Sequence, residues 1–135
     1  MLNRLTDALD FQAQALNLRS ERQRLVASNI ANADTPGYVA RDLNFAQALR
    51  DATGAGNPTA ALAASRPGHI AASSMTGSTF SNLLYASPSQ TNLDRNTVDM
   101  DRERASFADN TVKYEATLRF INQQVKTTLS AITGQ

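Results

Sequence analysis

With 135 residues, 41% of them apolar, the chain is long enough for one ordinary domain with a packed interior. Thirteen Lys and Arg against twelve Asp and Glu leave a formal net charge of +1, so there is no excess positive field to hold a phosphate backbone, and nucleic acid is not expected as a partner. The absence of cysteine excludes disulfide frameworks, thiol catalysis and thiolate metal sites together.

The N-terminal third shows a helical period at Leu2, Leu5, Leu9, Gln12, Leu16, Arg19, Gln23, Val26, Ile30 and Ala33, with polar residues interrupting its centre. A second stripe, Ala8, Phe11, Ala15, Leu18 and Leu25, lies partly around the helix from the first. One partner helix cannot cover both, so the Phe11, Leu18 and Leu25 line is expected to stay free for neighbouring molecules. Asn3 is the predicted N-cap. Asp7 and Asp10 interrupt the apolar residues near the start, which predicts no secretory signal core. No stretch reaches the roughly 20 apolar residues that span a bilayer.

The helix is predicted to end before Thr35-Pro36-Gly37, because Pro36 drives Thr35 out of the helical region and Pro followed by Gly suits a type II turn. Beyond the turn, Val39, Leu43 and Phe45 share one face of an extended reading, which predicts a short strand. Asn44 followed by Gln47 resembles a capping box, so FAQALRDA reads as a brief helix.

Residues 51–92 hold three of the four prolines and four of the six glycines, with only Asp51 and Arg66 charged. The remainder is mostly Ala, Ser and Thr, which supplies few large apolar groups to offset chain entropy and predicts a loop-rich, partly flexible segment. Phe80, Leu83, Leu84 and Tyr85 mark a small docked element late in it, and His69-Ile70 a second anchor.

The last third carries the clearest period. Phe107, Thr111, Tyr114, Leu118, Ile121, Val125, Thr128 and Ile132 alternate steps of four and three, a heptad seam broadened by Val112 and Leu129. Asp99 is the predicted cap, with Asp101 and Glu103 favourably placed against the helix dipole, and the helix would span roughly 55 Å at ~1.5 Å per residue. The expected fold is therefore mainly α. Long N- and C-terminal helices (1–35 and 97–135) pair as a coiled-coil-like axial domain, and 36–96 form a loop-rich middle that holds a short strand or small helix.

Site chemistry is thin. Asp94, Asn96, Asp99, Asp101 and Glu103 superficially suggest calcium, but an EF-hand needs Gly sixth and Glu twelfth, where this chain has Asp99 and Ala105. A solvated helix start, with Arg102 and Arg104 balancing the acids, accounts for the run. His69 is the only histidine and has no carboxylate beside it. Phe107, Tyr114 and Phe120 lie in a helical pattern and read as core or interface. No catalytic residue, metal, cofactor or small-molecule substrate is expected. For the TPGY turn, a plain helix terminator competes with a functional reading. Asn29, Asn32 and Asp34 favour the latter, since their side chains can cap the helix end and bond a neighbour's backbone, with Tyr38 lying across the turn.

Two blocks carry a resemblance. SNIANADTPGYVARDLNF at 28–45, with Asn29, Asn32, Thr35, Pro36, Gly37 and Tyr38 in register, resembles the motif common to flagellar rod, hook and hook-associated proteins. NTVDMDRERASFADNTVKYE at 96–115, with LDFQAQALNLRSERQRL and LLYASPSQTNLDRNTVDM, is more similar to a basal-body rod branch of that family. The resemblance covers both ends of the chain and thins over 51–79. It implies a structural subunit of the proximal rod, exported through the flagellar type III apparatus without cleavage and assembled helically above the membrane ring as part of the torque-bearing shaft. It implies as neighbours other copies of the chain, other rod proteins and the rod-base protein FliE. It further implies that Phe45 to Leu49, a phenylalanine four residues before a hydrophobic one, is read by the export gate.

The helix-packing interface expected from the periods comprises Leu5, Leu9, Leu16, Val26 and Ile30 with Phe107, Tyr114, Leu118, Ile121, Val125 and Ile132. Two alternatives stay open: another flagellar rod subunit, or a small helical adaptor or export chaperone that binds partner helices reversibly.

Overall fold

The computed structural model describes residues 2–54, 82–85 and 93–134. Helix α1 (Leu2–Ala31) is followed by strand β1 (Arg41–Leu43), helix α2 (Phe45–Ala52), strand β2 (Leu83–Tyr85) and helix α3 (Met100–Thr133). Among the described residues, no helix is long and apolar enough to cross a membrane. The His69-Ile70 anchor and Phe80 lie outside the described residues.

The two long helices pair antiparallel along their length. Asn29, near the end of α1, bonds Glu103 at the start of α3, while Gln23 and Arg19 meet Asn110 and Thr111 further along. The mainly α architecture with paired end helices and a small strand-and-loop middle is thus the one expected. Asp99 caps α3 as predicted, its Oδ1 accepting the N–H groups of Asp101 and Arg102. At the other end Gly134 adopts a left-handed φ of 72° and donates its N–H to the Ser130 carbonyl, closing the last turn. Asn3 is not a cap but lies inside α1. Leu2 already belongs to the apolar period, so the helix register extends past Asn3.

The segment after α1 folds back on that helix. Asp42 in β1 accepts a bidentate pair from Arg22, Nε and Nη2 each at 2.9 Å, a geometry that fixes orientation as well as charge. This hydrogen bond is the first cause of the raised Arg22 pKa. Asn44 caps α2 by accepting from the Gln47 N–H at 3.2 Å, but the Gln47 side chain turns to Asp51 rather than back to the cap. Only half of the capping box forms, because the Asn44 N–H is taken by the Asn82 carbonyl. β2 pairs antiparallel with β1 in the register Arg41↔Tyr85, Asp42↔Leu84, Leu43↔Leu83. The docked element expected around Leu83, Leu84 and Tyr85 is this strand.

Two local expectations change. Leu18 does not stay free for neighbours: it is buried with Leu43 and Ala48, and Leu25, Phe45, Leu49 and Ala52 pack around them. The cause is the β1–α2 segment, which the ion pair at Asp42 draws onto that flank of α1. Phe11, beyond the reach of α2, remains exposed. The strand is also shorter than the extended reading, and Val39 is exposed while Ala40 is buried. Residues 38 and 40 pair instead with Thr97, which turns them away from the strand path.

Candidate assembly site

The TPGY turn is held from both sides. Pro36 and Gly37 occupy the middle of a turn closed by the Tyr38 N–H to the Thr35 carbonyl at 3.3 Å, with Gly37 at φ 73°, the sign a type II turn requires at its third position. The residues leading into α3 wrap around it. The Gly37 N–H bonds the Asp94 carbonyl at 2.7 Å, the Thr97 N–H bonds the Tyr38 carbonyl at 3.0 Å, and the Ala40 N–H bonds Thr97 Oγ1 at 2.8 Å. Arg95 takes a φ of 56° within this wrap.

Two buried asparagines lock the arrangement. Asn96 directs Nδ2 at the carbonyls of Asn32, Ala33 and Thr35, at 2.9, 2.7 and 2.9 Å, so the carbonyls just past the end of α1 are bonded by a side chain 61 to 64 residues away. Its Oδ1 accepts the Val98 N–H. Asn29 imitates a strand neighbour for Arg41, donating to the Arg41 carbonyl at 2.7 Å and accepting its N–H at 3.1 Å. The same amide reaches Glu103 Oε2 and accepts the Tyr38 hydroxyl, which also meets Ser28 Oγ. α1, the turn, β1 and α3 therefore converge on Asn29. Asn32 bonds its own helix through the Ser28 carbonyl and accepts the Thr35 hydroxyl, while Thr35, Pro36 and Gly37 stand exposed.

A Cβ at Gly37 would meet nothing within 4 Å, so the constraint there is the backbone angle alone. Gly37→Val is expected to lower stability by about 1–2 kcal/mol, the cost of a left-handed L-residue, with helical circular dichroism unchanged. A denaturation midpoint equal to that of the parent would contradict this.

Between the long helices the seam is unusually polar. A line of buried and half-buried residues on α3 runs Asn110, Tyr114, Thr117, Ile121, Gln124 and Thr128 in steps of four and three. Of the expected heptad, Thr111, Tyr114, Ile121 and Thr128 are half-buried while Phe107, Leu118, Val125 and Ile132 are exposed. Asn110 is fully buried, donating to the Arg19 carbonyl at 2.9 Å and to Gln23 Oε1 at 2.6 Å, while Gln23 Nε2 donates to Thr111 Oγ1 at 2.9 Å. The Arg19 guanidinium lies 4.4 Å from the centre of the Phe45 ring. Burial, and then the neighbouring Arg22 charge, lowers its pKa, with Asp109 acting in the opposite sense.

The other expected interface residues lie on both sides of this seam. Val26 is buried, and Leu9, Leu16 and Ile30 are half-buried on α1. The side chain of Leu5 lies outside the description. On α3, Phe107 and Leu118 are more than a third exposed, Val125 is 42% exposed and Ile132 75%. With exposed Val112, Phe120 and Leu129, they give α3 long apolar flanks that no part of the described subunit covers. Among the described residues no group of three or more His, Cys, Asp or Glu could hold a metal ion.

Sequence reasoning singled out Asn29, Asn32 and the turn but not Thr97 or Asn110, and it met Asn96 only as a member of the calcium-like run it set aside. A faint signal for Asn110 existed: Glu103, Asn110, Thr117 and Gln124 recur every seven residues and make a polar heptad line beside the apolar one.

An antiparallel helix pair, closed at one end by a wrapped turn and apolar along its outer flanks, is the form of a subunit whose business is packing. Comparison with known proteins gives that class a particular membership. The family model described as flagella basal body rod protein matches residues 9–38, from α1 through Tyr38. The chain is 47% identical to the flagellar basal body rod protein FlgB of Salmonella typhimurium over 99% of both chains. It is 49% identical to FlgB of Escherichia coli over 93% of each, and 39% identical to FlgB of Buchnera aphidicola over 99% of this chain and all of the relative. The chain belongs to the FlgB family of flagellar basal body rod proteins. These relatives bear the names of rod proteins, not of enzymes.

Proposed function

We propose that this chain is a structural subunit of the proximal rod, assembling helically through its paired end helices into the torque-transmitting shaft. The observation that carries the reading is the uncovered apolar flank of α3, with Val125 and Ile132 prominent in it, on a chain of the FlgB family. A large aliphatic or aromatic side chain buried there contributes about 1.5–3 kcal/mol before ordering costs, so several per contact hold a lattice without a cofactor. Contacts between different patches propagate rather than close, as a shaft requires. The axial unit is residues 1–35 with 97–135, and 36–96 form its loop-rich middle.

The partners are further copies of the chain, other rod proteins, and FliE with the membrane ring at the base. The location is the periplasmic rod of the basal body, reached through the type III apparatus without a cleaved signal. Phe45 and Leu49 serve as the export-gate motif. Both pack against the Leu18 cluster, so the gate reads them before α2 docks. Phe45→Ala with Leu49→Ala is expected to reduce secretion of the chain by an export-competent cell several-fold, and undiminished secretion would remove the motif from the proposal. The deciding experiment for the function is an averaged image of purified basal bodies. The chain is expected in the rod next to the membrane ring, and its absence there would overturn the reading.

A further inference from the structure

We infer that the polar amides Asn110 and Gln23 select the register and rotation of α3 against α1, and thereby keep the apolar flank of α3 on the outside of the subunit. α3 offers α1 two stripes. One is apolar, running through Phe107, Leu118, Val125 and Ile132, and hydrophobic gain alone would turn it inward. The other contains Asn110 and Thr117, and this is the one buried.

Apolar packing is non-directional and tolerates a slip between helices, whereas an amide pair is satisfied at one offset only. Asn110 Nδ2 meets Arg19 O and Gln23 Oε1, and Gln23 Nε2 meets Thr111 Oγ1, so the two amides are bonded to each other and to both helices. A slip of one heptad would carry Asn110 from Arg19 and Gln23 to Val26 and Ile30, or to Gln12 and Leu16. A backbone carbonyl replaces that of Arg19 at either offset, but Ile30 or Leu16 takes the place of Gln23, so the amide-to-amide bond and the return bond to Thr111 are both lost. Rotating α3 to bury Leu118 and Val125 would likewise strip Asn110 of its partners.

The arrangement is not optimised for stability. Asn110 Oδ1 and Arg19 Nε are buried without a hydrogen-bond partner, and such groups carry a desolvation cost. Its return is a single defined pairing, the role best attested for a lone polar residue in a helical seam. The inference concerns the subunit alone and stands whether or not the exposed flank meets rod neighbours.

The chain has no cysteine, so paired spin labels can be placed cleanly. Labels at Ala27→Cys and Arg119→Cys, both exposed and well separated along the pair, report axial offset, and a heptad slip moves one against the other by roughly 10 Å. The full chain is expected to give one narrow distance. Gln23→Leu with Asn110→Leu, which removes both amides together, is expected to keep its helical content and add populations displaced by about that amount. Three results would overturn the inference: a double variant that keeps the single parental distance, a double variant that loses its helical content, or a parent chain with no single distance.

Discussion

Replacing Asn29 by leucine is expected to lower the stability of the subunit by about 3 kcal/mol and to abolish motility in cells that depend on the chain. The side chain is 1% exposed and joins four partners: the Arg41 carbonyl, the Arg41 N–H, the Tyr38 hydroxyl and Glu103. Leucine fills a comparable volume but leaves the Arg41 peptide and Tyr38 without their partner, and an unpaired buried polar group costs about 1–3 kcal/mol. The denaturation midpoint of the purified variant checks this, and a loss under about 0.5 kcal/mol, the range of neutral surface changes, would contradict it. Asn29→Asp is a sharper probe. It keeps the acceptor for the Arg41 N–H, loses the donor, and sets a second carboxylate against Glu103. Like charges raise the carboxylate pKa in the folded state above its unfolded value. The resulting stability is therefore present at low pH and lost as pH rises through the folded value, so this variant should recover on acidification while Asn29→Leu does not.

The second large effect lies on the opposite surface. Val125→Glu combined with Leu118→Glu is expected to leave the helix pair folded but to stop rod formation. Both side chains are more than a third exposed in the subunit, so hydrated carboxylates there have little effect on its own stability. In an assembled contact the same charges would be buried unpaired, which costs several kcal/mol each. Unchanged circular dichroism together with loss of basal bodies in electron micrographs is the expected pair of results. Normal swimming by the double variant would show that this flank of α3 is not an assembly surface. The Asn29 and Val125 variants thus separate two kinds of loss, one through folding of the subunit and one through its contacts.

The local elements were legible in the residues. Asp99, Asn44 and the Thr35-Pro36-Gly37 break mark helix ends through chemistry confined to four or five adjacent positions, and each acts as that chemistry requires. The three- and four-residue steps of the apolar residues were sufficient for two long helices, since their length exceeds any ambiguity with strands. The family motif at 28–45 drew attention to Asn29 and Asn32 but carried no account of what they bond.

The face of α3 turned toward α1 was only partly legible from the periods. The Thr111, Tyr114, Ile121 and Thr128 half of the apolar heptad borders α1, but the Phe107, Leu118, Val125 and Ile132 half is left outside, and the most buried positions are the polar Asn110 and Thr117. Hydrophobic periodicity measures how much apolar surface a helix can bury, not whether its own chain or another molecule buries it. In a packing subunit those are different faces. Leu18 illustrates the converse: it was assigned to neighbours, yet it is covered by α2 because the Arg22–Asp42 pair docks that segment onto α1.

The chain's own order of residues thus determined the helices, their caps and the turn, because each depends on contacts within a few positions. The three-dimensional arrangement alone decided which groups Asn96, Asn29 and Asn110 bond. Their amides bond backbone and side-chain groups that stand 61 to 64, 12 and 91 residues away in the chain, and such pairings leave no local signature.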